Sequence, residues 1–462
     1  MTDYFAERAW LPDAGFVDDV LICVDGDGTI SSVEQGAAPG QAERLPGALL
    51  PGMPNLHSHA HQRAMAGLSE YRASGAGEDD SFWTWRQVMH AFVEAVTPDD
   101  LEAIAAQLYL EMLKAGYTAV AEFHYVHNDT DGATYAEPAE MSHRLAKAAG
   151  DVGLGLTLMP VLYATGGYGN AEPNAGQRRF LCDADHLSRI LEGAARAVAG
   201  NADQRLGLAP HSPRHAPADQ TLACIATLDG LELGAPIHVH VAEQEKDVEE
   251  SIAHTGRRQV EWLMDNLPID ERWCLVHATH VDAGEVAAMA HRGAIAGLCP
   301  TTEANLGDGL FPLRDYLEDG GRIGIGSDSH ISISVQEELR WLEYGQRLIH
   351  RRRNMSAAAT GGSTGRRLFE ASLAGGAQAC GRPIGAIAPG LRCDLVAIDT
   401  GHPLLAGRGG DRILDSWIFS GNAATVTDVV VGGRRVVTNG HHAEEDAIAS
   451  RYKDVLDRVL GD

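Results

Sequence analysis

Eight β-like runs alternate with amphipathic stretches through the middle of the chain, at 48–57, 119–123, 155–163, 206–210, 235–241, 273–277, 294–299 and 323–328. Eight such units over roughly 280 residues have the size and alternation of a (β/α)8 barrel, an α/β fold of TIM type. Intervening helices are expected at 98–114, where Pro98 opens the segment and Leu101, Ile104, Leu108, Leu110 and Met112 supply an apolar face, and at 337–349. The flanks read differently. Residues 20–24 are followed by a Gly26-Asp-Gly28 turn, while 394–399, 417–419 and 428–437 are β-rich, with Gly432-Gly433 as a two-residue hairpin turn. Neither flank closes a sheet alone, so both ends are expected to join in one small β-sandwich domain. The expected division is 1–49 and 376–445 for that domain, 50–375 for the barrel, and 446–462 for a helical tail. Segments 163–176 and 355–365 read as mobile connections within the barrel.

Composition narrows the function. With 64 acidic against 37 basic residues the formal charge is −27, which repels phosphate backbones and anionic lipid, and no basic run exceeds Arg351–Arg353. Nucleic acid and membrane partners are therefore not expected. No apolar stretch reaches membrane-spanning length and the first twenty residues lack a signal-peptide pattern, so a cytoplasmic location is expected. The seven cysteines are scattered without CxxC spacing, which suits reduced thiols and leaves histidine and carboxylate as the metal-binding groups.

Those groups recur at the ends of the β-like runs. The first ends in His57-Ser-His59, and because side chains alternate along a strand both rings face one way. The fifth ends in His238-Val-His240-Val-Ala-Glu243, the sixth at His277, and the eighth in Gly326-Ser327-Asp328. Every one lies at the C-terminal end of a proposed barrel strand, the rim where barrel enzymes place their sites. His57, His59, His240 and Asp328 would hold one divalent ion per chain with nitrogen and oxygen donors. Zinc is the first expectation, and iron or manganese would accept the same set. His238 lies one layer deeper and is expected to pack.

This set resembles the amidohydrolase superfamily, with its strand-one HxH, strand-five His, strand-six His and strand-eight Asp, over nearly the whole chain. The run from Gly385 to Asp399 also resembles that family's return from barrel to small domain. Many members bridge two metals with a strand-four lysine. The four lysines here, Lys114, Lys147, Lys246 and Lys453, all fall elsewhere. His240-x-x-Glu243 instead resembles the mononuclear deaminase branch, which hydrolyses C=N carbons and releases ammonia. The resemblance implies that the ion makes water reactive near neutral pH, that Asp328 takes the water proton, that Glu243 carries a proton to the departing nitrogen, and that His277 orients the nucleophile.

Arg86 and Arg214, on separate loops, could converge on a carboxylate, or each could serve a structural ion pair. The segments Leu56–Arg63, Phe82–Arg86, Glu122–Tyr125 and His211–Arg214 together resemble members acting on a small linear formimino group borne by a dicarboxylic amino acid. The implied reaction is N-formimino-L-glutamate plus water to N-formyl-L-glutamate plus ammonia, in histidine degradation, with Gln62, Arg86, Tyr125, His211 and Arg214 binding the substrate. Alternatives are a purine, pyrimidine or other ring amidine as substrate, cleavage to glutamate and formamide, or a barrel that has lost the reaction. A homodimer is expected by family analogy. At the seventh strand, Cys299-Pro-Thr-Thr-Glu303-Ala-Asn305 departs from the Cys-Pro-x-Ser-Asn of other deaminases, and Glu303 and Asn305 are expected only to shape the loop.

Overall fold

A computed structural model describes residues 2–71, 81–358 and 361–461. At its centre lie Met53–Ser58, Tyr117–His124, Gly155–Leu162, the short pair Gln204–Leu206 and Ala209–Pro210, then Ile237–Val241, Trp273–His277, Ile295–Leu298 and Arg322–Ile325. Each pairs in parallel with its neighbour, which gives two curved arcs. Parallel bridges Leu208↔Ile237 and Ser58↔Asp328 join the arcs, so the sheet curls into a TIM-like barrel. The strands are buried on both faces, which explains their continuous apolar runs in place of alternation.

All eight expected runs carry barrel strands, with one correction. The run 48–57 is two strands: Ala48–Pro51 belongs to the small sheet, and only Met53–Ser58 enters the barrel. Gly52 divides them, because a Cβ there would lie 2.1 Å from Thr118 Oγ1. The sequence signal misses the break because both halves are buried and apolar. The fourth strand is also interrupted, between Leu206 and Ala209.

The two chain ends form one eight-stranded sheet, in which the N-terminal Tyr4–Leu11, Gly15–Val24, Ile30–Gln35, Glu43–Leu45 and Ala48–Pro51 meet the C-terminal Leu395–Ile398, Val426–Val431 and Arg434–Val437. Alternation divides its side chains between two cores. Leu49, Leu395, Ala397 and Val430 pack with Tyr4 and Ile22 in a core of the sheet's own, whereas Leu50, Val396, Ile398, Val429 and Val431 join the barrel core. The hairpin turn at Gly432-Gly433 has φ of 53° and 75°, the left-handed pair that a tight hairpin requires. Residues 417–419, read as β-rich, are the end of the helix Arg412–Phe419, whose Ile413, Leu414, Trp417 and Ile418 make a helical apolar stripe too short to tell from a strand in sequence.

The expected helices are present as Pro98–Ala115 and Val335–His350. The first begins with a capping box, Thr97 accepting from Asp100 N and Asp100 from Thr97 N, and ends at Gly116 with φ of 95°. Helix Thr364–Cys380 covers the barrel floor, and Glu445–Leu460 packs on Pro98–Ala115. Residues 359 and 360 of the expected loop 355–365 lie outside the described residues. Among the described residues no helix is long and apolar enough to cross a membrane.

Candidate active site

The seam that closes the barrel also assembles the site. Ser58 bridges Asp328, with Asp328 N donating to His57 O at 3.1 Å and His59 N to Asp328 O at 3.2 Å. Strands one and eight can approach this closely because Gly326 has no side chain: a Cβ would sit 2.8 Å from His57 Cβ. His57 and His59 do share a face, with ring centroids 4.7 Å apart, and His240 comes across the barrel to place its Nε2 2.9 Å from His57 Nε2. Asp328 Oδ1 lies 3.5 Å from His57 Nε2 and 3.3 Å from His59 Nε2.

These donors suit one ion. Four ligands at Zn–N distances of about 2.0–2.1 Å in a tetrahedron stand about 3.3 Å apart, close to the spacings of Asp328 Oδ1 from His57 and His59, while His240 lies within ligand spacing of His57 and His277. Burial pushes all three imidazoles down, His59 to about 3, with neighbouring rings adding to the shift at His57 and His240, so each ring is neutral and offers a lone pair. His59 Nδ1 donates to Phe123 O at 2.8 Å, which leaves Nε2 as its ligating atom. His238 turns away and donates from Nε2 to Ala379 O at 2.9 Å, a packing role at the barrel floor. All four lysines lie on helices and none borders the cavity.

The strand ends at the site carry unusual backbone. Ala242, His277, Ala278, Asp328 and His330 have φ of 49°, 66°, 47°, 45° and 60°, although none is glycine. Side chains in this left-handed region cost of order 1–3 kcal/mol each and persist where surrounding structure imposes them. Here the turn redirects His277 and Asp328 inward at the strand ends. A buried network fixes strand one from behind: Glu122 accepts from Ser58 Oγ at 2.5 Å, Ala60 N at 2.7 Å and Tyr109 OH at 3.3 Å, while His330 spans Ser58 and Ser327. Burial raises the Glu122 carboxyl to about 7, opposed by those hydrogen bonds.

His277 Nε2 stands 3.7 Å from Glu243 Oε1 and 3.8 Å from Asp328 Oδ2. Burial pushes the His277 ring down, but Glu243, the hydrogen bond to Glu303 and the Asp328 charge outweigh it and raise it to about 10. Asp328 itself is raised to about 7 by burial, with His277 opposing and Glu243 reinforcing. Two further buried carboxyls border this group. Glu303 contacts His277 Nδ1 at 3.3 Å, and Asp308, pushed up by burial and by Glu243, accepts from Gln244 Nε2. Glu303 therefore does more than shape its loop, whereas Asn305 points outward to Glu70. The sequence holds no signal for either acid beyond proximity to the seventh strand, because the contacts span 26 residues for Glu303 and 64 for Asp308.

A cavity opens above the cluster, bordered by His59, His240, Glu243, His277 and Asp328 and also by Gln62, Arg86, Tyr125, His211 and Arg214. All five residues expected to bind substrate thus face the same space as His59, His240 and Asp328. Gln62 donates from Nε2 to Tyr125 OH at 2.9 Å, and its buried Oε1 has no partner among the described residues. Arg86 projects from helix Phe82–Val93, capped by Ser81, and donates to Tyr163 OH at 2.7 Å beside His215. Arg214 is paired with Asp247 and stacks over Trp83 at 5.1 Å. Burial and the nearby Arg86 charge lower the Arg214 guanidinium. Trp85 borders the cavity and Trp83 does not.

Comparison with known proteins follows this geometry. The "Amidohydrolase family" matches residues 48–436. A formimidoylglutamate deiminase from Pseudomonas aeruginosa is 52% identical over 460 residues, covering 100% of both chains. The crystal structure of an amidohydrolase from Brucella melitensis superposes with a TM-score of 0.94 at 45% identity, covering 100% of both chains. An adenosine deaminase from Xanthomonas campestris with bound zinc shares the fold, with a TM-score of 0.80 at 19% identity over 99% of this chain and 98% of its own.

Proposed function

We propose, from the premise that this chain belongs to the amidohydrolase family, that it hydrolyses N-formimino-L-glutamate to N-formyl-L-glutamate and ammonia in histidine degradation. The enzyme is a hydrolase acting on a C–N bond. The observation that carries the substrate assignment is the meeting of Arg86 and Arg214 with the ligand cluster in one cavity, together with the full-length similarity to the P. aeruginosa deiminase. Two guanidiniums facing a buried space match a small molecule with two carboxylates.

His57, His59, His240 and Asp328 would hold one divalent ion, which we take to be zinc. When bound, the ion supplies the Lewis acidity that makes water a nucleophile near neutral pH. Gln62, Tyr125 and His211, which line the same cavity, bind the substrate with the arginines. Asp328 accepts a proton from the attacking water as its oxygen bonds to the formimino carbon. Glu243 brings one proton to the terminal nitrogen as the water adds; Asp328 then passes on the proton it took, and the added hydroxyl returns its proton to Glu243 as the C–N bond breaks with ammonia as the leaving group. His277, on the Glu243 and Asp328 side of the cavity, orients the nucleophile. The reading includes a cytoplasmic homodimer.

Incubating zinc-loaded protein with N-formimino-L-glutamate, measuring ammonia and identifying the co-product by mass spectrometry tests this. Ammonia with N-formyl-L-glutamate is the expected result. Formamide with glutamate would place the cleaved bond on the other side of the formimino carbon, and no turnover by metal-replete protein would remove the substrate assignment.

A further inference from the structure

Glu303 sits at the fourth position of the short helix Pro300–Leu306, where its Oε1 accepts from Cys299 N at 2.8 Å. That contact alone would make it an ordinary helix cap. The same Oε1, however, lies 3.3 Å from His277 Nδ1, and the side chain is 4% exposed. The helix that carries it cannot easily swing away. Glu338 accepts from Thr301 N at 3.0 Å and from its hydroxyl at 2.5 Å, the Thr302 and Ser329 hydroxyls are 3.0 Å apart, and Asp308 N returns to Glu303 O at 2.9 Å. Across the ring, Nε2 faces Glu243 and Asp328.

We infer that Glu303 is a positioning residue for the reaction, holding the proton of His277 on Nδ1 and fixing the ring so that Nε2 is the atom presented to the reacting centre. A ring nitrogen bonded to a carboxylate carries hydrogen and has the ring's rotation set by that bond. An amide at this place can accept or donate, and either ring orientation is then tolerated. The inference rests on the deaminase reading for its kinetic consequence, but the ring state of His277 does not depend on which substrate is turned over.

The test pairs kinetics with NMR on the zinc-loaded full chain. Glu303→Gln keeps the size and the Cys299 contact. It should bind the same amount of zinc, melt at the wild-type temperature and hold KM within about two-fold, while kcat falls by about 10- to 100-fold, the usual effect of losing an orienting partner. Adding Glu303→Gln to His277→Asn should cost little beyond His277→Asn alone, because the carboxylate would act only through the ring. In ¹⁵N-histidine-labelled protein, with the His277 signals assigned by their loss in His277→Asn, wild type should show hydrogen on Nδ1 and Glu303→Gln a changed ring pattern. An unchanged ring spectrum and wild-type kcat in Glu303→Gln would reduce Glu303 to a helix cap and overturn the inference. If no formimino substrate is turned over but the ring spectrum changes as described, the substrate reading fails and the positioning role stands.

Discussion

The imidazole cluster and the arginine wall face each other across one cavity and are built in different ways. His57 lies on strand Met53–Ser58 and His59 just beyond its end, Asp328 is bridged to Ser58 between them, and His240 sits on a strand backed by parallel pairing to Trp273–His277. Backbone hydrogen bonds of the barrel hold these atoms. The wall has no such frame: Arg86 rides a helix and leans on Tyr163, 77 residues away, while Arg214 leaves a loop and rests on Asp247 and Trp83. The cluster is thus held by the sheet, and the arginines by side chains on connections, which can change without disturbing the fold.

Disrupting the cluster should have the largest effect. His57→Ala and Asp328→Ala are expected to lose bound metal and at least about 10³-fold in kcat/KM, read by elemental analysis beside steady-state kinetics; full metal occupancy in either would mean that the ligands lie elsewhere. Glu243→Gln comes next. It removes a proton carrier and no metal donor, so metal content should hold while kcat falls by about 10²- to 10⁴-fold, and a fully active variant would reject the shuttle.

The wall should respond in KM rather than in metal. Arg86→Met is expected to lower kcat/KM by roughly 10- to 150-fold, the loss of a charged hydrogen bond worth about 1.5–3 kcal/mol, with metal unchanged. Arg214→Met should cost less, because the Arg214 guanidinium already shares its charge with Asp247. Equal losses at the two positions would show that substrate displaces that partner and would erase the distinction within the wall. The smallest change is Tyr163→Phe, which deletes the hydroxyl that steadies Arg86; a loss of about 0.5–1.5 kcal/mol, seen as a rise in KM of a few-fold to about ten-fold, would confirm that the wall is held by side-chain contacts.

The same distinction separates what could be read in the sequence from what could not. Continuous apolar runs located the eight barrel strands, and the spacing of His57 and His59 put both rings on one face, because those properties depend on neighbours one or two residues away. The break at Gly52 was hidden, since buried strands of two different sheets look alike when both faces of each are covered. The helical state of Trp417–Phe419 was hidden too, since three residues do not separate a period of 3.6 from one of 2. In the site, residue identity singled out Arg86 and Arg214 as candidate carboxylate ligands. Only packing revealed that Asp247 already occupies Arg214, and that Glu303 and Asp308 stand beside His277 and Glu243.

By itself, then, the sequence determined the barrel, the joining of the two chain ends, and the histidines and carboxylates that gather at the strand ends, all of which follow from local periodicity and from the chemistry of single side chains. The tertiary structure alone decided which acid leans on His277 and which arginine arrives already paired. Those depend on distances between segments tens of residues apart, set by barrel closure and helix packing, and no local pattern in the chain encodes them.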